Sequence, residues 1–224
     1  MTNSNSSISK HYHQLTSVQR GQIQAMLDSG ITSRTVIAQE VGCHKSTIKR
    51  GSVTKLLSAQ SIEQRPKEIE DRKIPLHWEG DLVKGVRRKN QPALMTLTER
   101  ITRFEVVIKI PDYRASTCQR PLQKEIDRHP NWFKSITFDN GSEFADMTKI
   151  KHCKIYFAHP YSPWERGTNE NCNGLLRQFF PNGKSMKDKS KAYVQQATDA
   201  INHKYRRILQ YHTAEELFKQ YISS

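Results

Sequence analysis

Long apolar segments are absent from this chain of 224 residues. No run of 18 apolar residues occurs, and the first ten residues are polar and rich in Ser and Asn. A membrane-spanning helix needs about 20 mostly apolar residues, and a signal peptide needs an apolar stretch near its start. We therefore expect neither a membrane span nor a signal peptide, and a cytoplasmic location.

Cysteine is scarce as well. Cys43, Cys118, Cys153 and Cys172 are scattered, and no two of them form a Cys-x-x-Cys pair. Zinc sites and disulfide frameworks need clustered or regularly spaced cysteines. The sequence therefore predicts neither kind of site, which fits a reducing compartment.

Positive charge is abundant. Lys and Arg total 36 against 22 Asp and Glu, which gives a net charge of +14. Residues 1–60 hold 7 basic and 2 acidic side chains, and residues 61–224 hold 29 and 20. An excess on both parts of the chain fits a DNA backbone as partner, because neutralising phosphates supplies most non-specific affinity. A basic protein without a nucleic-acid partner is the alternative that composition leaves open.

The N-terminal part has the pattern of a small all-α domain. Residues 1–12 are predicted to be disordered, and helices are predicted over residues 16–30, 33–41 and 44–50. Small Ala38, turn-forming Gly42 and the apolar residues around them are what a helix-turn-helix needs, so this domain is placed at residues 13–52. An ordinary three-helix bundle is the alternative. In a helix-turn-helix the third helix would face DNA through these residues: His44, Lys45, Ser46, Thr47, Lys49 and Arg50.

Residues 53–73 are mixed in composition and are predicted to be a linker, with a possible short helix near residues 53–60. Beyond them, the pattern predicts strands over residues 77–84, 92–99 and 103–110 and a helix over residues 115–128. Two shorter strands follow at residues 135–139 and 154–158, and helices at residues 168–180, 190–203 and 214–221. Three antiparallel strands followed by alternating helices and strands predict one α/β domain with a mixed sheet, at residues 74–224.

Three acidic residues lie in short segments rich in Gly, Asn and aromatic residues. Asp81 ends the segment HWEGD, Asp139 begins DNGSEF, and Glu170 lies within RGTNENCNG. The predicted elements place them on the first strand, at the carboxyl end of a later strand and in the first turn of a helix, where a ligand site of an α/β sheet is expected. Gly174 is expected to let this helix approach the sheet closely.

Three carboxylates on one site would repel one another unless cations bind them. Mg²⁺ prefers such oxygen ligands, and two ions are suited to phosphoryl displacement. We therefore expect Mg²⁺ or Mn²⁺, with two ions, held by Asp81, Asp139 and Glu170. Glu79 and Glu143 lie near two of these acids, and the sequence leaves open whether they are accessory ligands or structural acids.

The segments at residues 77–81, 137–141 and 162–171 resemble those of bacterial insertion-sequence transposases of the DDE class, in particular the insertion sequence thirty (IS-thirty) family. The resemblance runs from about Tyr12 to Lys49 and from about Arg65 to the end. It implies a ribonuclease H-like integrase core, with Asp81, Asp139 and Glu170 as the metal-binding catalytic triad. Between Asp139 and Glu170 lie 30 residues, a spacing usual for such enzymes.

The implied reaction is hydrolysis of phosphodiester bonds at the ends of the element, followed by attack of the freed 3′-hydroxyl on target DNA. The partners would be double-stranded DNA, as terminal inverted repeats and target, and further copies of the chain, because two ends must be brought together. A nucleoid-associated location follows. Five basic residues are candidates for holding phosphates: Lys84, Arg87, Arg88, Arg166 and Arg177.

The chain departs from the family pattern between Ile48 and Arg65, where the family's N-terminal region is normally much longer. The segment from Phe144 to Ile155 is short as well. An internally deleted copy would have these gaps. The alternative function is therefore a catalytically incompetent copy that acts only as a DNA-binding protein or repressor, and a structure-selective nuclease of the same fold is a second alternative.

Overall fold

The computed structural model describes residues 17–31, 33–45, 60–86, 90–159 and 167–223. Its internal contacts divide the chain into two compact units, Met1–Leu57 and Ser58–Ser224. The predicted disordered segment 1–12 and the predicted short helix near residues 53–60 lie outside the described residues, except for Gln60. In the part of the chain that is described, no helix is long and apolar enough to cross a membrane.

Unit 1 has two described helices, α1 (Ser17–Asp28) and α2 (Arg34–Glu40). Ile37, Ala38 and Val41 are buried and pack with Ile23 and Met26. The backbone of Gly30 and Gly42 has φ of +86° and +67°, the left-handed conformation that glycine adopts without strain. This confirms the turn role predicted for Gly42. The third predicted helix, over residues 44–50, falls almost entirely outside the described residues.

Unit 2 is built around a six-stranded mixed sheet with the strand order β1-β6-β5-β2-β3-β4. The strands are β1 (Gln60–Ser61), β2 (His77–Lys84), β3 (Ala93–Glu99), β4 (Glu105–Ile110), β5 (Ser135–Phe138) and β6 (Lys154–Phe157). Strands β2, β3 and β4 form an antiparallel meander, whereas β5 runs parallel to β2 and to β6. The α/β class and the mixed sheet predicted from the sequence are confirmed.

Helices cover both faces of this sheet. After a one-turn helix α3 (Lys67–Glu70), the helices are α4 (Ala115–Arg128), α5 (Gly167–Leu176), α6 (Lys191–Asn202) and α7 (Ala214–Ile222), and a 3-10 segment spans Ser142–Lys149. Trp78, Met95 and Ile136 pack on one face with side chains from α4, the 3-10 segment and α7. Val83 and Leu94 pack on the other face with residues of α5 and α6. Asp81 belongs to this second face, since side chains alternate along a strand.

The structure differs from the predicted linker over residues 53–73. Residues 60–73 belong to the larger unit and contribute the edge strand β1, which pairs in parallel with β6. Arg65 and Ile69 are only 6% and 5% exposed. The sequence of residues 60–73 has no regular hydrophobic periodicity and so gave no sign of this packing. Its buried contacts are made by the cation of Arg65 and by the short helix α3 rather than by an apolar stripe.

Candidate functional site

A row of polar side chains runs along the adjacent parallel strands β2 and β5. His77 is level with Ser135, and Glu79 is level with Thr137. Since side chains alternate along a strand, these pairs share one face of the sheet. The paired part of the two strands ends there; Asp81 is the fifth of the eight residues of β2, and Asp139 directly follows β5. Two of the three predicted acids therefore lie on neighbouring parts of the sheet, Asp81 within β2 and Asp139 immediately after β5.

Asp81 is half-buried and fixed by hydrogen bonds. Its Oδ1 accepts from the backbone N–H of Leu82 at 2.8 Å, and its Oδ2 accepts from Nδ2 of Asn173 at 2.8 Å. The amide oxygen of Asn173 in turn accepts from the hydroxyl of Thr96, at 3.1 Å. Because Asn173 lies on α5, this chain of bonds connects the carboxylate to the helix that carries Glu170.

Asp139 follows β5 in a tight turn. Its Oδ1 accepts from the backbone N–H of Gly141 at 2.7 Å. A Cβ atom at Gly141 would lie 2.8 Å from this oxygen and 2.9 Å from Oε2 of Glu143. Both carboxylates therefore lie close to the Cα of Gly141, and a larger residue there would displace one of them.

Glu143 is held by an ion pair. Its Oε1 lies 2.7 Å from Nζ of Lys84, which also lies 4.9 Å from the ring centroid of Tyr113. Burial is the largest single influence on the Glu143 carboxyl and raises its pKa, but the hydrogen bonds from Lys84, Ser142 and the backbone, together with the charge of Lys84, outweigh it, so the pKa is lowered. Glu143 is thus ionised and paired within the protein.

Glu170 lies in the first turn of α5, as predicted, and its side chain is exposed. Within the residues that the structure describes, it forms no hydrogen bond or ion pair, and no group of three or more His, Cys, Asp or Glu side chains is gathered closely enough to hold a metal ion. Among the described residues, the structure thus places Glu170 three residues before Asn173, the partner of Asp81, without gathering the three carboxylates into a metal-binding group.

Glu79 has a different environment from these acids, since its side chain is fully buried. Its carboxylate accepts from the backbone N–H of Thr168 at 3.0 Å and of Asn169 at 3.2 Å, and from the hydroxyl of Thr168 at 3.0 Å. Nε of Arg100 lies 3.3 Å from its Oε1. Of the two roles that the sequence left open, the geometry therefore favours a structural acid at the start of α5.

Two buried arginines lie beside this part of the row. Arg65 donates to the hydroxyl of Thr137 at 3.1 Å and forms an ion pair with Glu70, and Arg100 is only 3% exposed. Burial, together with Lys134, Arg100, Arg65 and Lys154, lowers the pKa of His77 from 6.5 to about 4. His77 is therefore neutral near pH 7, with its Nδ1 2.7 Å from the hydroxyl of Ser135.

The predicted DNA-contacting residues are only partly described. His44 and Lys45 are exposed in unit 1. In unit 2, Lys84 is paired with Glu143, and the guanidinium of Arg177 donates to the backbone carbonyl of Lys84 at 2.8 Å. The remaining candidates lie outside the described residues: Ser46, Thr47, Lys49, Arg50, Arg87, Arg88 and Arg166.

Sequence reasoning missed two residues near the site and misjudged a third. Arg65 and Arg100 belong to none of the motifs found in the sequence. The acidic motifs themselves were a reason to look for arginines that could pair with their carboxylates. Gly174 was expected to let α5 approach the sheet. Gly174 is exposed, and a Cβ atom there would meet nothing within 4 Å, so that expectation is wrong.

Comparison with known proteins identifies relatives in bacteria. The chain is 42% identical over 183 residues to the "Probable transposase for insertion-like sequence element IS1161" of Streptococcus salivarius, across 82% of this chain and 53% of that protein. It is 30% identical over 217 residues to the "Transposase for insertion sequence element IS1086" of Cupriavidus metallidurans, across 95% of this chain and 62% of that protein.

A third relative is the "Transposase InsI for insertion sequence element IS30A" of Escherichia coli, 29% identical across 80% of this chain and 47% of that protein. The chain therefore spans about half to three-fifths of the length of these curated relatives. No protein-family model matches the chain. By these similarities the chain belongs to the family of insertion-sequence transposases that includes those of the IS30 elements.

Proposed function

We propose that the chain is a metal-dependent DDE transposase that cuts DNA at the ends of an insertion sequence and joins those ends to target DNA. The observation that carries the proposal is that Asp81 on β2 is hydrogen-bonded to α5, the helix that carries Glu170 in its first turn, while Asp139 directly follows the adjacent parallel strand β5. The strand order, an antiparallel meander extended by parallel strands, supports a ribonuclease H-like core for unit 2.

The three carboxylates have the donor chemistry that Mg²⁺ or Mn²⁺ requires. Asp81, Asp139 and Glu170 would hold the ions, two in number. Bound there, they would supply charge stabilisation at the attacking and leaving oxygens of an in-line displacement. The chain's own residues prepare the carboxylates: Asn173 orients that of Asp81, and the turn at Gly141 orients that of Asp139.

DNA is the proposed partner of both units. Unit 1 supplies a helix pair with a buried contact between them and exposed His44 and Lys45 after the second helix, which supports a helix-turn-helix reader at residues 13–52. The net charge of +14 supports contact with the phosphate backbone. Two DNA ends must be held together for joining, so we also propose that the protein acts as a homo-oligomer on DNA.

A strand-joining assay on pre-cut element ends with Mg²⁺ or Mn²⁺ tests this proposal. We expect wild-type protein to form joined product, and Asp139→Asn and Glu170→Gln to lower the rate by at least about 100-fold, the scale of losing one group that stabilises transition-state charge. Asp127→Asn and Glu68→Gln are matched controls, because both acids are exposed on helices of unit 2, outside the polar row. Equal product from all five proteins would overturn the triad.

The same assay separates the alternatives. A repressor or incompetent copy would bind the ends but neither nick nor join them with either metal. A structure-selective nuclease of the same fold would nick but leave pre-cut ends unjoined. Joining by the wild type, lost in both triad variants, excludes both alternatives.

A further inference from the structure

Strand β2 is bonded to helix α5 at two successive positions of one face. Glu79 accepts from two backbone N–H groups in the first turn of the helix, those of Thr168 and Asn169. Two residues along the strand, Asp81 accepts from Asn173 at 2.8 Å. Glu170 lies between these two contacts on the helix. Two contacts at different heights fix both the position of the helix along the strand and its rotation about its own axis, whereas one contact would leave the rotation free.

The Glu79 contact matches the electrostatics of a helix start. The first N–H groups of a helix have no partner within the helix, and that end carries partial positive charge. A carboxylate satisfies both needs at once. Thr168 and Asn169 are 1% and 2% exposed, so water does not replace the carboxylate if it is lost.

Arg100 is the counter-charge beside this carboxylate. Its guanidinium is 3% exposed and lies beside Glu79, with Nε 3.3 Å from Oε1. A buried charge that loses its partner is strongly unfavourable, so each member of the pair holds the other. The start of α5 is therefore fixed by a rigid buried pair on the sheet rather than by a mobile side chain at the surface.

We propose that Glu79 is a positioning residue that sets where Glu170 sits relative to Asp81 and Asp139. The inference rests on the function proposed above. Glu79 does not touch metal or DNA in this assignment; it acts through the backbone of α5. Misplacing a reacting group by about 1 Å costs about 100-fold in rate, so a shift of α5 by that amount is enough to abolish most activity.

Glu99→Gln is the matched control for Glu79→Gln. Glu99 is also a fully buried carboxylate, and it accepts from the backbone N–H of Leu76, Ile101 and Thr102 at 3.0, 2.9 and 2.6 Å. It lies on β3, facing the opposite side of the sheet from α5. Both substitutions remove one buried charge that binds backbone N–H groups, but only Glu79→Gln affects the helix.

The experiment compares the two variants with wild type in three measurements: the melting temperature, the joining rate with its Mn²⁺ concentration at half-maximal rate, and amide hydrogen exchange of residues 168–176. We expect similar falls in melting temperature. We expect Glu79→Gln alone to lose about 100-fold in rate, to need about tenfold more Mn²⁺ and to exchange faster in α5. The joining rate of Glu99→Gln is expected to stay within about threefold of the wild-type rate, a range that allows for small indirect effects of the substitution.

The inference is overturned if Glu79→Gln joins DNA like the wild type, if both variants lose rate equally, or if exchange in α5 is unchanged. If Glu79→Gln does not fold, Glu79→Asp replaces it, because its charge is kept while its shorter side chain cannot reach both N–H groups. If wild-type protein does not join DNA, the proposed function fails, and the exchange of α5 in Glu79→Gln against Glu99→Gln still decides whether Glu79 positions the helix.

Discussion

Individual polar residues in the row between β2 and β5 have separate physical tasks. His77 and Ser135 lie at the amino ends of the strands, Glu79 and Thr137 are the next pair along, and Asp81 lies two residues beyond Glu79 on β2. Burial increases from the carboxyl end inward: Asp81 is partly open to solvent, whereas Glu79 is fully buried. Of these two acids, Asp81 is the one open to solvent, whereas the buried Glu79 has a counter-charge, Arg100, within the protein.

The lowered pKa of His77 predicts an acid-sensitive fold. Its folded pKa of about 4 lies below the unfolded value of 6.5, so the unfolded chain binds the proton first. Its contribution to stability is present above pH 6.5 and is lost as the pH falls toward 4. About 1.4 kcal/mol per pKa unit gives a loss of about 3 kcal/mol.

Denaturant unfolding at pH 7 and pH 4 measures this loss. In the His77→Gln variant, the unfolding free energy should fall less between pH 7 and pH 4 than in the wild type, by about the 3 kcal/mol assigned to His77, because glutamine does not titrate. The exposed His203 serves as control, and His203→Gln should leave the decrease as in the wild type. An equal decrease in the wild type and His77→Gln would contradict the assignment.

Elements of unit 2 differ in how closely they approach one another, as the space around Gly80 and around Gly174 shows. A Cβ atom at Gly80 on β2 would lie 2.1 Å from the ring of Phe138 on β5. Phe138 is itself fully buried and lies 4.6 Å, between ring centroids, from Phe144. The ring therefore has no room to move away, and β2 and β5 can only be adjacent in this register with glycine at that position.

Substitution by alanine is predicted to have opposite effects on stability at Gly80 and at Gly174. Gly80→Ala should lower the unfolding free energy by about 3 kcal/mol, at the upper end of the cost of overpacking a core. Gly174→Ala should raise it by about 0.5–1 kcal/mol, because the helix gains a better helix former and nothing lies within 4 Å of the new methyl group. Thermal or urea unfolding of both variants measures the difference, and a stable Gly80→Ala protein would contradict the close approach.

Elements with local sequence signals were predicted well. Thr213 and Glu216 form the reciprocal capping box at the start of α7 that their spacing predicts. Strand β2 was predicted with its observed bounds, as one of three strand-like runs joined by short polar turns. Helix α5 was predicted to continue to Phe180 but ends at Leu176, where the backbone tightens into bonds three residues apart and Arg177 turns to bind the carbonyl of Lys84.

At the scale of the whole molecule, charge is the dominant property. The net charge of +14 is spread over both parts of the sequence rather than confined to a tail. If DNA is the partner, phosphate contacts release counterions, and the affinity must fall as salt increases. Raising the salt from about 50 to about 200 mM should weaken binding to non-specific duplex DNA about 1,000-fold, as for a protein with roughly six phosphate contacts.

Fluorescence anisotropy with a labelled duplex over this salt range measures the effect. The melting temperature over the same range is the control, since it shows whether salt acts on binding or on folding. Affinity that does not change with salt would argue against backbone contacts as the main source of binding.

The sequence by itself determined the α/β class and most element bounds, because these follow from turn residues and residue patterns that are local in the chain, and its motifs singled out three acids as the proposed site. Only the tertiary structure decided that Arg65 and the segment around it belong to the sheet, that Glu79 binds the start of α5, that Lys84 is paired with Glu143, and that Gly174 faces outward. Each of these depends on contacts between residues far apart in sequence. Burial and counter-charge at such contacts have no local signature, so the supporting residues of the site became visible only when the chain was folded.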